Sequence, residues 1–295
     1  MRYARRPIAA AVLLIPLSIT GCSLLPTTRK LPIPKAPVIT QYATPDELVT
    51  RLNERWKAIN SLTAKVEFRA SKVKNAQGLV TDYPAVEGHI LMRKPGDLRV
   101  LGQLIGVKVF DMASHGDCYT LEIPHDDKVI KGCGPAKNLS KNAFENLRPG
   151  FFFDAMLVQG LAPDDLYQTT SDSETVEDAA RKHLFTVPEY ILSISRSKPG
   201  TQQLIPLRVV TFHRDNLLPS KQDLYDGEGK LETEVVYANY QDFDGKPYPS
   251  IVSIKRPQEG VQIVLSVEDV KENPTLTDDQ FVVTYPKDYK VVNQE

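Results

Sequence analysis

Residues 61–71 read Ser61-Leu62-Thr63-Ala64-Lys65-Val66-Glu67-Phe68-Arg69-Ala70-Ser71. Leu62, Ala64, Val66, Phe68 and Ala70 alternate with Thr63, Lys65, Glu67, Arg69 and Ser71, the period-2 pattern of a strand buried on one face. Similar segments recur at 86–92, 98–101, 107–113, 190–195, 207–213, 221–225, 231–240, 250–255 and 261–267. Turn chemistry separates them, as in Lys94-Pro95-Gly96-Asp97, Asp226-Gly227-Glu228-Gly229 and Asp244-Gly245-Lys246-Pro247. The pattern predicts a long antiparallel meander, and ten or more strands coil strongly or close.

Two stretches break the strand period. Thr44-Pro45-Asp46-Glu47 is a capping box with proline at the first helical position, and Leu48, Leu52, Trp56 and Ile59 then fall on one stripe. Segments 140–147 and 151–159 read as two short helices split by Pro149-Gly150. They carry Phe144, Leu147, Phe151, Phe152, Phe153, Met156 and Leu157, dense in large apolar groups for an insertion between strands. Residues 172–180 are polar and acidic and read as a surface loop or short helix. The expected class is α+β, mainly antiparallel β: a strongly curved half-barrel sheet whose helices cover the concave face and can enclose an apolar cavity.

The N-terminus predicts export. Arg2, Arg5 and Arg6 precede an apolar run over 8–19, too short to span a bilayer but suited to a signal peptide. Leu17-Ser18-Ile19-Thr20-Gly21-Cys22 resembles the bacterial lipobox, in which the cysteine carries palmitate-type acyl chains and becomes the first mature residue. The expected organisation is a signal peptide over 1–21, then acylated Cys22 and a tether over 22–43 rich in proline (Pro26, Pro32, Pro34, Pro37). One folded domain over 44–289 and a C-terminal tail over 290–295 follow. Ser23 and Leu24 after the cysteine point to an outer-membrane anchor facing the periplasm. Without the three n-region arginines, the 37 acidic residues exceed the basic ones by about four, which gives no footprint for nucleic acid.

Two further cysteines suit an oxidising compartment. Residues 117–123 and 128–133 read as a hairpin around Pro124-His125-Asp126-Asp127. With Ile123 facing Lys128, counting outward puts Cys118 opposite Cys133, close enough for a disulfide. CxxC spacing, which a zinc site would use, is missing.

Several motifs resemble the LolA/LolB lipoprotein-sorting superfamily. They are Leu48-x-x-x-Leu52-Asn53-x-x-Trp56-x-x-Ile59-x-Ser61-Leu62-x-Ala64, Gly88-x-Ile90-x-Met92-Arg93-Lys94-Pro95-Gly96-Asp97-Leu98-Arg99, and Asn273-Pro274-x-Leu276-x-Asp278-x-x-Phe281 with Pro286. The resemblance implies a half-barrel with a helical lid over an apolar cavity. Its soluble carriers hold the lid with an arginine just before the second-strand proline, where this chain has Arg93 and Lys94. Its membrane-anchored acceptors carry an apolar residue on a protruding loop that meets the bilayer. Gly102-Gln103-Leu104-Ile105-Gly106 resembles that loop, with Ile105 best matched and Leu104 beside it. A lipoprotein resembles the acceptor more than the carrier, although this chain is longer.

The functional expectation is a monomeric, membrane-anchored protein that takes lipid or lipoprotein acyl chains from a periplasmic carrier and passes them to the outer membrane. Trp56, Val66, Phe68, Ile90 and Met92 are expected to line the cavity, and Phe144, Leu147, Phe151, Phe152, Phe153 and Met156 to form the lid. The alternative is a non-catalytic envelope scaffold or sensor that grips a protein partner through the same fold. Catalysis is not expected. GxSxG, HExxH, P-loop and GxGxxG motifs are missing, and His89, His115, His125, His183 and His213 are scattered. The pairs Asp126-Asp127, Asp164-Asp165 and Asp278-Asp279 sit where turns and caps use aspartate. Neither cofactor nor metal is implied.

Overall fold

The alternating segment at 61–71 becomes the centre of a single sheet in the computed structural model, which describes residues 40–74, 78–116, 118–134, 143–146, 148–177 and 184–294. Its strands are β1 (Ser61–Lys74), β2 (Leu79–Asp82), β3 (Val86–Arg93), β4 (Asp97–Leu104), β5 (Val107–His115), β6 (Cys118–Ile123) and β7 (Lys128–Cys133). After the helical insertion come β8 (Asp165–Glu177), β9 (Leu184–Ser197), β10 (Leu204–His213), β11 (Pro219–Tyr225), β12 (Leu231–Phe243), β13 (Lys246–Arg256), β14 (Val261–Glu272) and β15 (Lys290–Gln294). The order is β15-β7-β6-β5-β4-β3-β1-β14-β13-β12-β11-β10-β9-β8, with β2 on the end of β1. Every pairing is antiparallel except that of β15 with β7, and the sheet is unclosed, with β15 and β8 at its two ends.

Helix α1 (Pro45–Ala58) starts at the expected capping box: Thr44 Oγ1 accepts from the Glu47 backbone N–H, and the Glu47 carboxylate accepts from that of Thr44. It lays Leu48 and Leu52 on Tyr190, Leu192 and Ile194 of β9 and Val210 and Phe212 of β10. Asn273, in left-handed conformation at the end of β14, ties off its far end. Its amide donates to the Ala58 carbonyl (2.8 Å) and accepts from the Asn60 N–H (2.7 Å). Helix α2 (Pro149–Met156) buries Phe151, Phe152, Phe153, Ala155 and Met156 in the main core with Leu62, Ile90, Met112, Val235 and Leu265.

The sheet is bent. Arg148, at the N-cap of α2, lies over the Tyr119 ring of β6, and six residues on the Asp154 carbonyl accepts from Gln222 Nε2 of β11 (3.0 Å). Those strands are eight neighbours apart. In a flat sheet that is about 38 Å. Six helical residues cover about 9 Å, and the side chains cannot bridge the difference.

Four expectations are corrected. Proline and glycine at 149–150 do not split two helices; Pro149 starts α2, where its missing N–H costs nothing and its φ is preset. Of 140–147, the described residues Ala143–Asn146 form a 3-10 turn. Residues 172–177 belong to β8, an edge strand whose residues 170–175 are exposed on both faces. Residues 290–294 are not a tail: they add β15 to the other edge.

Candidate functional site

An apolar chamber of about 280 Å3 lies where β1, β3, β5, β6 and β14 meet α2. Two glycines make room for it. Gly88 and Gly102 face each other across β3 and β4, and a Cβ on them would overlap the rings of Phe68 and Phe110. Those rings cross bare backbone and meet edge to face, with centroids 5.6 Å apart. Phe152 of α2 supplies a third ring, 6.2 Å from Phe68. Val86, Val109, Met112, Leu121, Ile123 and Ile263 complete the walls, with Tyr83 and Pro84 at the edge; none of the described lining residues is charged.

Beside it the β4–β5 hairpin turns through Ile105 and Gly106, with φ values of 49° and 76°. A two-residue turn of type I′ needs both in that region, which glycine tolerates and a β-branched residue does not. Ile105 nonetheless stands there 96% exposed, with Leu104 and Val107 exposed at its base. Strand register puts these residues at the same end of the sheet as exposed Leu79 and Val80 of β2 and as Tyr83. The chamber thus sits at an apolar rim.

Of the residues expected to line a cavity, Phe68 borders the chamber. Val66, Ile90 and Met92 are fully buried in the main core, in the same cluster as the phenylalanines of α2. Trp56 is half-buried and edge-on to Phe153, 6.3 Å between centroids. Of the expected lid residues, Phe151, Phe152, Phe153 and Met156 all face the core from α2. Leu147, the Phe144 side chain and Cys22 lie outside the described residues. The chamber walls on β5 and β6 escaped sequence reasoning; the local signal was a glycine in each of two strands, which marks a close approach.

The two basic residues reach other partners than α2. Lys94 Nζ donates to the Trp56 carbonyl and lies 3.6 Å from the centre of its ring, so it caps the last turn of α1, where a cation is favoured. Burial there lowers its pKa. Arg93 binds Asp97 (2.6 Å), Asp278 (2.7 Å) and the Leu276 carbonyl (3.1 Å), which fastens the C-terminal segment. What pins α2 directly is Tyr248, whose hydroxyl donates to the Met156 carbonyl (2.6 Å), together with Gln222. Cys118 and Cys133 face each other in the register counted from the hairpin loop and are joined as a disulfide. Among the described residues no group of side chains could hold a metal ion, and no helix is long and apolar enough to cross a membrane.

No protein-family model matches the chain, and no curated protein matches it in sequence. Solved structures do. A DUF1329 family protein from Desulfovibrio piger superposes with TM-score 0.50 at 16% identity, covering 81% of this chain and 95% of that one. A LolA superfamily protein from Nitrosomonas europaea does so with TM-score 0.50 at 15% identity, over 82% of this chain and 99% of its own. The fold is LolA-like.

Proposed function

We propose, from this LolA-like fold, that the chain binds acyl chains beneath α2 and passes them to a membrane. The observation that carries the reading is the uncharged chamber between Phe68, Phe110 and Phe152, set beside a rim that holds Ile105 out in solvent. In this reading the sheet is a half-barrel, α1 and α2 cover its concave face, and α2 is the lid. The chamber lies just under the ~300 Å3 at which small-molecule sites begin. It accommodates a segment of one chain, so a longer one enters as α2 gives way. The three phenylalanines of α2 hold it down by ~1.5–3 kcal/mol each, which about ten methylenes at ~0.8 kcal/mol offset.

The rest of the reading comes from the sequence. Cys22 carries the lipid anchor, the tether over 22–43 lifts one domain off the periplasmic face of the outer membrane, and a periplasmic carrier delivers the acyl cargo. Leu104 and Ile105 enter the bilayer first; an apolar residue kept in strained backbone and in water is otherwise only a cost. Lys94 and Arg93 steady the frame of the lid through α1 and the C-terminal segment. No chemical step is needed, and the protein is not an enzyme.

The chain has one tryptophan, Trp56, and it rests against Phe153 of α2. Titrating palmitate into the full chain carrying Cys22→Ala, so that no anchor competes, should give a saturable change in Trp56 emission. A flat titration, with no fatty acid retained after gel filtration, would refute the reading.

A further inference from the structure

A second cavity, of about 230 Å3, lies on the other side of α2. Residues 152 and 154 are about 200° apart round a helix, so Phe152 faces the apolar chamber and Asp154 this one. The opposite walls are Arg208 of β10, Gln222 of β11 and the Asp165–Arg196 ion pair that joins β8 to β9. This composition has no part in holding acyl chains.

Its polar groups are buried and incompletely used. Arg208 is 7% exposed; its Nη2 donates to the Gly160 carbonyl (2.6 Å), its Nε has no partner, and Asp154 and Asp165 act on it only through space. Gln222 is 1% exposed; it spends its Nε2 on the Asp154 carbonyl and leaves Oε1 unpartnered. The Asp154 carboxylate accepts from Gln159, and burial pushes its pKa up to about 6. Asp165, by contrast, is fully engaged by Arg196 (2.7 Å) and the Ala162 N–H (2.9 Å).

A buried charge without a counter-charge is costly. Here a guanidinium and a carboxyl group face one cavity without touching, and each lacks what the other carries. An anion alone would serve Arg208 and be repelled by Asp154; a cation alone would do the reverse. We propose that this cavity binds a small zwitterion, with an anionic oxygen beside the Arg208 guanidinium and a protonated amine a few bonds away beside the Asp154 carboxylate. The shared chemistry is that of an aminoalkyl phosphate, either free or as the headgroup of a lipid. No acyl chain is required, so the site stands or falls separately from the apolar chamber.

Calorimetry with phosphoethanolamine on the full chain carrying Cys22→Ala tests it, with glycerol phosphate and ethanolamine as single-charge controls. Phosphoethanolamine should bind at least tenfold more tightly than either. Asp154→Asn, which keeps the shape and the bond from Gln159, should remove that preference while melting cooperatively, and Arg208→Lys should weaken binding. Equal affinity for phosphoethanolamine and glycerol phosphate, or an Asp154→Asn variant that binds as before, would overturn the proposal. Cosedimentation with phosphatidylethanolamine against phosphatidylglycerol vesicles separates the sources. Binding of the first vesicle alone, lost in Asp154→Asn, identifies a lipid headgroup, and binding of the free compound alone identifies a soluble zwitterion. Binding of neither free compound nor vesicle refutes the site.

Discussion

Replacing Asp154 by asparagine isolates the one charge that α2 carries into the interior. In the folded chain this carboxyl titrates at about 6 against an ordinary 3.8, chiefly because burial disfavours its ionised form. The folded state therefore keeps a proton that the unfolded state has released. Stability falls as pH rises from about 3.8 through 6, and the penalty is complete above that. Two pKa units at ~1.36 kcal/mol each make it about 3 kcal/mol at neutral pH. Asparagine has no charge to bury and keeps the oxygen that accepts from Gln159. Asp154→Asn should therefore be more stable than the parent by up to about 3 kcal/mol at pH 8 and nearly equal to it at pH 4. At ~2–4 °C per kcal/mol for a chain of this size, the melting temperature should rise by roughly 6–12 °C at pH 8. Thermal melts of both proteins across pH 4–8 measure the difference, which should reach half its full size near pH 5, midway between the two pKa values, and level off above about 6. A gain that is the same at every pH, or a loss at pH 8, would show that the side chain is not a buried charge. If α2 is the lid, the variant should also respond more weakly to palmitate at pH 8, since its lid is harder to lift.

Four further outcomes are expected from the same structure. Leu104→Glu with Ile105→Glu should abolish transfer to vesicles yet leave the melting temperature within a degree or two; a large drop would make the hairpin core. Ile105→Asn converts the turn to Asn-Gly and should stabilise the chain by about 1 kcal/mol while weakening vesicle binding, as melts and flotation would show. Gly102→Val forces the Phe110 ring off the sheet, so palmitate uptake should fall and stability should drop by several kcal/mol in urea titrations. Cys118→Ser with Cys133→Ser opens a loop of 15 residues and should cost about 3 kcal/mol by chain entropy, measured in the same titrations.

Much of the frame was legible because its signals are local. The alternation of Leu62 to Ser71 announces a half-buried strand, and the four-residue loop at 124–127 alone fixes the register that joins Cys118 to Cys133. The phenylalanines of α2 declare a buried helix. Strand β8 was hidden because residues 166–168 and 170–175 are exposed on both faces, so little period-2 contrast arises. Strand β15 was hidden because its partner lies some 160 residues earlier. The chamber resisted for a different reason. Whether Ile90 or Phe110 borders empty space depends on where α2 comes to rest, and no single strand records that. The polar cavity joins Asp154, Arg208 and Gln222 from three separate elements, each ordinary in its own segment.

The central claim is that an acyl chain occupies the space between β5 and α2. A palmitate analogue carrying a photoreactive diazirine, bound to the full Cys22→Ala chain, irradiated and mapped by peptide mass spectrometry, tests it most directly. The account predicts adducts on Val107–His115 and Pro149–Met156, competed away by palmitate. Adducts confined to exposed Leu79, Val80 and Ile105, or none that palmitate displaces, would contradict it.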